Sequence, residues 1–143
     1  MEVQQRANIG KRFLASFIDY VIIACISINY ILLFGEPDEY GNYTVSGLNA
    51  LVPFVFWFVY LVVIETFISA TFGHFLLGMK VVKTDNGRIN FIEALKRHLI
   101  DPVDFTIFGI PAMICIKNTA LSQRIGDLWA ETVVINDNKK NSY

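Results

Sequence analysis

Two acidic residues stand inside long apolar stretches of the sequence. Asp19 is the only charged residue in the run 13–34, and Glu65 is the only one in the run 48–72. A carboxylate at the centre of a membrane helix costs about 2.5–3.5 kcal/mol on insertion scales, so each one requires a partner or a polar cavity. The pattern therefore predicts proton binding, cation binding or pairing with a basic side chain.

The spacing of the charged residues places them near one level of the membrane. Arg12 and Asp19 are seven residues apart, so on a helix they share one face about 10 Å apart, with Ser16 between them. Glu65 lies seven residues before the end of its run, at a similar depth. Two carboxylates at one level favour a shared proton or a bound cation, because like charges resist joint ionisation in a low dielectric. The alternative is that Arg12 pairs with a carboxylate and only fixes how the helices pack, and the sequence leaves both open.

More charged residues lie towards the C-terminus. Arg124 and Asp127 are three residues apart on one helical face, and Asp127 at the membrane boundary could meet Arg12, although a surface pair is the simpler interpretation. Asp101 and Asp104 flank a proline and predict the polar end of a helix. The candidate ion or proton site is therefore Arg12, Asp19, Glu65 and Asp127, supported by Ser16, Arg124 and Asp104. The residue types do not identify a metal.

Composition indicates a membrane protein. The 143 residues are 54% hydrophobic and 17% charged, against about 25% charged in average soluble domains. A net charge of −1 argues against nucleic acid as the main partner. Cys25 and Cys115 have no metal-ligand spacing, no HExxH pattern is present, and we expect no cofactor.

The apolar pattern predicts an all-α membrane protein that forms a single domain over residues 1–143. Two full transmembrane helices are expected at about 13–34 and 48–72, followed by a third short apolar segment at 101–117. The apolar part of the third segment is shorter than the roughly 20 residues of a straight span, and a glycine and a proline interrupt it. We therefore favour a re-entrant or folded-back segment over a single crossing.

The segment 73–100 is expected to be cytoplasmic and the C-terminal segment 118–143 to return beside it. Two short β-like strands, 79–83 and 132–135, predict a pair, because an isolated strand edge is costly. Asn90 and Glu93 predict the capped start of an amphipathic surface helix. Its polar face would consist of Lys96, Arg97 and His98.

Basic residues set the expected orientation. They precede the first helix and follow the second, whereas the connector 35–47 is acidic. By the positive-inside rule the N-terminus lies in the cytoplasm of a multi-pass plasma-membrane protein. If the third segment folds back, the C-terminus is cytoplasmic too.

Three segments resemble the RDD family of small membrane proteins, named for one arginine and two aspartates. They read KRFLASFID at 11–19, TFGHFLLGMKVV at 71–82 and RIGDLWAETVV at 124–134. The resemblance implies that Arg12, Asp19 and Asp127 are the name-giving residues. The chain departs from the family pattern at three positions: Phe72 and His74 replace a proline and a lysine, and Glu131 replaces a glycine.

The resemblance implies transport, including sodium–proton antiport for some members, or an accessory role for others. The first hypothesis is an oligomeric transporter that exchanges Na⁺ or another monovalent cation for H⁺, since carboxylates suit hard cations. The second is an accessory or scaffold protein that binds another membrane protein. An enzyme is not expected: Arg124 stands where an intramembrane aspartyl protease would have the first glycine of its glycine-x-glycine-aspartate motif.

Overall fold

A computed structural model describes residues 7–104 and 106–137. The described chain is mostly helical, and two of its helices are long and apolar enough to cross a membrane. They are α1, Ile9–Phe34, and α2, Gly47–Ile68. Between them a short hairpin pairs β1, Glu36–Pro37, with β2, Tyr43–Thr44.

The first long helix begins before the apolar run does. The side chain of Asn8 accepts a hydrogen bond from the backbone N–H of Gly10 at 2.8 Å and caps the helix. The 26 residues of α1 extend about 39 Å, more than the roughly 30 Å of a hydrocarbon core. Arg12 lies in the first turns of α1, and its side chain contacts Asp127, which comes after the second long helix in the chain.

The second long helix ends earlier than the apolar pattern suggested. Residues Phe58–Val63 are wound as a π-helix within α2, and Ser69 has a left-handed backbone with φ of 57°. That conformation ends the helix, and Thr71 caps a separate short helix, α3, Phe72–Leu76. The segment that follows the second long helix therefore begins with a short helix capped by Thr71.

The remaining elements form the part of the fold that carries the site. They are β3, Met79–Lys83; α4, Phe91–Leu99; α5, Asp101–Asp104; α6, Thr106–Asn118; α7, Ile125–Trp129; and β4, Thr132–Asn136. β3 and β4 pair antiparallel, with Val81 opposite Val134. Side chains of this sheet pack with Ala15, Val62 and Ala94 in a small apolar core.

The third apolar segment is bent. Helices Phe91–Asp104 and Gly109–Asn118 are inclined by 115° at their break, where Gly109 has φ of 80°. Pro111 lies within α6, where it has no N–H to donate. A bend of this size suits a broken span or a re-entrant loop, and the folded-back arrangement remains a prediction.

One expectation about α4 is confirmed and another is wrong. The side chain of Asn90 accepts from Ile92 N–H at 2.8 Å, and Glu93 accepts from Asn90 N–H at 2.7 Å, as predicted for a capping box. The polar face, however, is turned inward: Arg97 is 0% exposed and His98 is 3% exposed. Ile92 and Leu99 are instead 59% and 51% exposed. Arg97 and His98 face inward because they pair with the buried carboxylates of neighbouring elements.

Glu131 has a backbone conformation that favours glycine, the residue that the resemblance predicts at this position. Its backbone has φ of 53°, which costs an L-residue about 1–2 kcal/mol and a glycine almost nothing. Glycine also loses about 0.5–1 kcal/mol through added freedom in the unfolded chain. We therefore expect Glu131→Gly to raise the free energy of unfolding in detergent by up to about 1 kcal/mol. Glu131→Ala, which keeps Cβ, should give no gain, and equal gains in both variants would contradict the backbone explanation.

Candidate functional site

Ten titratable side chains are buried together in the described part of the chain, and we call them the charged cluster. The cluster consists of Arg12, Arg97 and Arg124, of His74 and His98, and of Asp19, Glu65, Asp101, Asp104 and Asp127. They come from six helices, α1 to α5 and α7, and from the residue before α7. A buried charge is costly unless it is paired, so the partners of each group decide what it can do.

Asp127 is the point where three arginines meet. Its Oδ1 accepts from Arg97 and lies 3.5 Å from Arg124 Nε. Its Oδ2 accepts from Arg12 and, at 3.1 Å, from the backbone N–H of Arg124. The predicted contact between Arg12 and Asp127 is therefore present, and it is a buried pair rather than a surface one.

The electrostatics of Asp127 follow from this geometry. Burial alone would raise the pKa of Asp127, but the charges of Arg97, Arg12 and Arg124 hold it far below its ordinary value. Asp127 is thus a fixed anion that joins α1, α4 and α7. It is poorly suited to binding and releasing a proton near neutral pH.

Both carboxylate oxygens of Glu65 also have basic partners. Arg97 donates to both of its oxygens, from Nε at 3.2 Å and from a terminal nitrogen at 3.3 Å. His98 Nε2 lies 2.9 Å from Oε2, and the other nitrogen of this ring lies 2.7 Å from Asp101 Oδ2. Ionised carboxylates only accept, so a ring that donates to two of them is an imidazolium.

Asp101 and Asp104 connect α5 to α7. Asp101 accepts from Tyr20 at 2.6 Å and lies 2.7 Å from Arg124. Asp104 accepts from the backbone N–H groups of Ile125 and Gly126 at 3.1 and 3.0 Å, and so caps the start of α7. Asp101 and Asp104, which were predicted to mark the polar end of a helix, therefore connect α5 to α7.

Asp19 differs from the other four carboxylates. Its Oδ1 accepts from Gly73 N–H at 2.7 Å and from Tyr60 at 3.0 Å, and its Oδ2 accepts from Thr71 at 2.5 Å. All three donors are neutral. Within the described ranges no basic side chain lies at ion-pairing distance from Asp19.

Close packing of α3 on α1 makes this arrangement possible. A Cβ added to Gly73 would lie 2.2 Å from the Ala15 carbonyl oxygen and 2.9 Å from Asp19 Oδ2. Only glycine therefore lets the backbone approach α1 closely enough to donate to Asp19.

A small cavity lies next to the cluster. Its volume is about 30 Å³, room for about one or two water molecules, and its polar lining is Arg12, Ser16, His74 and Arg124. Ser16, predicted as a supporting residue, lines this cavity. Burial lowers the pKa of His74 to about 3, against the opposing charge of Glu65.

The two carboxylates expected at one level have different partners. Glu65 belongs to the arginine network, and Asp19 is held by neutral donors. In residues 7–104 and 106–137 no group of three or more His, Cys, Asp or Glu side chains could hold a metal. The hypothesis of a proton or cation site, which the sequence placed on both carboxylates, therefore depends on Asp19.

Sequence reasoning missed four members of the charged cluster: His74, Arg97, His98 and Asp101. The sequence held one signal: Ala94, Arg97, His98 and Asp101 repeat at helical spacing and so share one face. Five acidic residues in apolar surroundings also required more cations than Arg12 and Arg124 supply.

These features define a small integral membrane protein whose charged residues are buried against one another beside two membrane-spanning helices. The chain belongs to the RDD family, whose family model matches residues 6–131. No curated protein and no solved structure matched the chain. Of the three residues that the resemblance predicts to be name-giving, Arg12 and Asp127 pair with each other, and Asp19 does not join that pair.

Proposed function

We propose that the chain exchanges a monovalent cation for protons as an oligomer, with Asp19 as the residue that binds the proton. One observation carries the proposal: Asp19 is the one buried carboxylate among the described residues that has no cationic partner. The four others are ion-paired, to Arg97, Arg124, Arg12 or His98. Ionisable groups in such positions commonly mark proton or ion pathways.

The oligomer follows from the size of the chain. Two spans cannot surround a pathway, and α1 and α2 bury only 6% and 17% of their apolar windows within the described chain. Their exposed sides are available to lipid or to further copies. Na⁺ is a hard cation that prefers oxygen ligands, which Asp19, Tyr60 and Thr71 would supply.

The test uses the full chain in proteoliposomes that hold a pH gradient. We expect added Na⁺, K⁺ or Li⁺ to dissipate the gradient, and Asp19→Asn to reduce the rate to that of empty liposomes. Asparagine keeps the shape and can still accept from Gly73 and Tyr60, but it cannot bind a proton. Glu39→Gln, an exposed change in the connector, should behave as wild type. Equal rates in wild type and Asp19→Asn would refute the proposal.

A second candidate is an accessory or scaffold protein that binds another membrane protein. The saturation of the charged cluster favours it, because ion-paired groups fix helix packing without carrying ions. The same vesicles separate the two functions. A folded wild-type protein that gives no cation-dependent flux would favour the accessory role, with one dominant crosslinked partner in native membranes as its positive sign.

A further inference from the structure

A chain of hydrogen bonds leads from Asp19 to the small cavity. Asp19 Oδ2 lies 2.5 Å from Thr71 Oγ1, which lies 2.7 Å from His74 Nδ1. His74 lines the cavity, and no described group hydrogen-bonds to its other ring nitrogen, Nε2.

The protons of this chain can be assigned from donor counts. Thr71 has one hydroxyl hydrogen, and an ionised Asp19 can only accept it. The remaining lone pairs of Thr71 Oγ1 then accept from His74 Nδ1–H and from the backbone N–H of His74 at 3.4 Å. With Asp19 ionised, His74 therefore carries a proton on Nδ1. Burial lowers the pKa of His74 and so disfavours a second proton on the ring, which leaves Nε2 free to accept.

We propose that Asp19, Thr71 and His74 form a proton relay between the cavity and the transport carboxylate, an inference that rests on the proposed function of Asp19. His74 Nε2 takes a proton from a hydronium ion in the cavity, which is left as a water molecule. His74 Nδ1 gives its proton to Thr71 Oγ1, and Thr71 gives its hydroxyl proton to Asp19 Oδ2. One proton enters and one carboxyl is formed, while His74 changes from the Nδ1–H to the Nε2–H tautomer.

The surroundings of the relay favour coupled transfer over a lasting imidazolium. His74 is close to the charges of Arg12 on α1, Glu65 on α2, Arg97 on α4 and Arg124 before α7. Three of these four charges are positive. Together with burial, they disfavour the positively charged form of His74. Asp19 also interacts with His98 on α4 and with Tyr60 on α2. Uptake at Nε2 is therefore expected to occur together with release from Nδ1.

The first measurement is the tautomer of His74 in full-length protein labelled with ¹⁵N-histidine in lipid nanodiscs. The chain has only two histidines, so His74→Phe assigns the signals. We expect protonated Nδ1 at high pH and protonated Nε2 once Asp19 is protonated, with both changes at the same pH. A tautomer that does not change while Asp19 titrates would overturn the relay.

The second measurement is the rate at which Asp19 is protonated after a rapid pH drop, read from its carboxyl infrared band. Asp19→Asn identifies the band. Thr71→Val removes the middle hydroxyl and His74→Phe removes both ring nitrogens, so each should slow the step by roughly a hundredfold. Thr71→Ser keeps the hydroxyl and should remain fast. Because Thr71 also caps α3, His74→Phe provides an independent test if Thr71→Val does not fold.

The outcomes separate the relay from the function on which it rests. If the Asp19 band titrates at the same rate in wild type, Thr71→Val and His74→Phe, the relay is wrong and the proton site stands. If no Asp19 band changes in wild type at any pH at which the protein is folded, both are wrong. If Asp19 is protonated slowly only in Thr71→Val and His74→Phe, the result supports both the relay and the proton site.

Discussion

Arg97→Met is expected to lower the free energy of unfolding by about 3–5 kcal/mol, the usual effect of breaking a buried ion pair from one side. Arg97 is 0% exposed and donates to Glu65, Asp127 and Thr132. Methionine has a similar length and fills the space, so the loss reports the charge rather than a cavity. Glu65 would keep only His98 as a cationic partner. Unfolding of the purified protein in mixed detergent micelles would measure the change.

Two further variants make this experiment specific. Lys117→Met removes an exposed charge, and a change within about 0.5 kcal/mol is expected. Glu65→Gln combined with Arg97→Met also removes the charge of Glu65, the carboxylate that loses its arginine partner. The double variant should therefore recover part of the lost stability. A double variant whose loss is the sum of the two single losses would show that Glu65 and Arg97 do not stabilise each other.

Asp127→Asn is the second change with a large expected effect. It leaves Arg12, Arg97 and Arg124 buried around a neutral amide, and we expect a loss of about 3–5 kcal/mol at neutral pH. Asp137→Asn is the matched control, because Asp137 pairs with Lys80 in a half-exposed position. That surface pair should contribute no more than about 1 kcal/mol. Similar losses at the two sites would contradict the central role of Asp127.

The pH dependence of stability provides a separate check on Asp127. Burial would raise the pKa of Asp127, but the three arginines hold it well below the ordinary aspartate value, so the folded protein binds fewer protons there than the unfolded chain. The stabilisation is complete above about pH 4, the ordinary aspartate pKa, and is lost as the pH falls further. Wild type should therefore lose stability in acid more steeply than Asp127→Asn. Parallel curves for the two proteins would show that Asp127 is not the titrating group.

These predictions divide the family residues into two roles. Arg12 and Asp127 belong to a saturated network that joins helices distant in sequence, and their loss should appear as lost stability. Asp19 is held only by neutral donors, and its loss should appear as lost flux. We therefore expect Asp127 and Asp19 to have different roles, because their neighbours differ.

The sequence by itself determined the features that depend on nearby residues. Hydrophobic length gave two spans, since about 20 apolar residues are needed to cross a bilayer. The capping box at Asn90 and Glu93 was readable because both residues lie within one turn. The runs that pair as β3 and β4 were recognisable because each needs a partner for its backbone groups. The family also followed from three short segments in order along the chain.

Only the tertiary structure decided which charges meet and which one is left without a cation. An amphipathic helix has the same periodicity whether its polar face meets water or buried carboxylates, so the inward direction of Arg97 and His98 could not be derived from α4 alone. Asp19 and Glu65 occupy similar positions in similar runs. What separates them is Thr71 and Gly73 on one side and Arg97 and His98 on the other, contacts that span tens of residues and are set by packing rather than by local sequence.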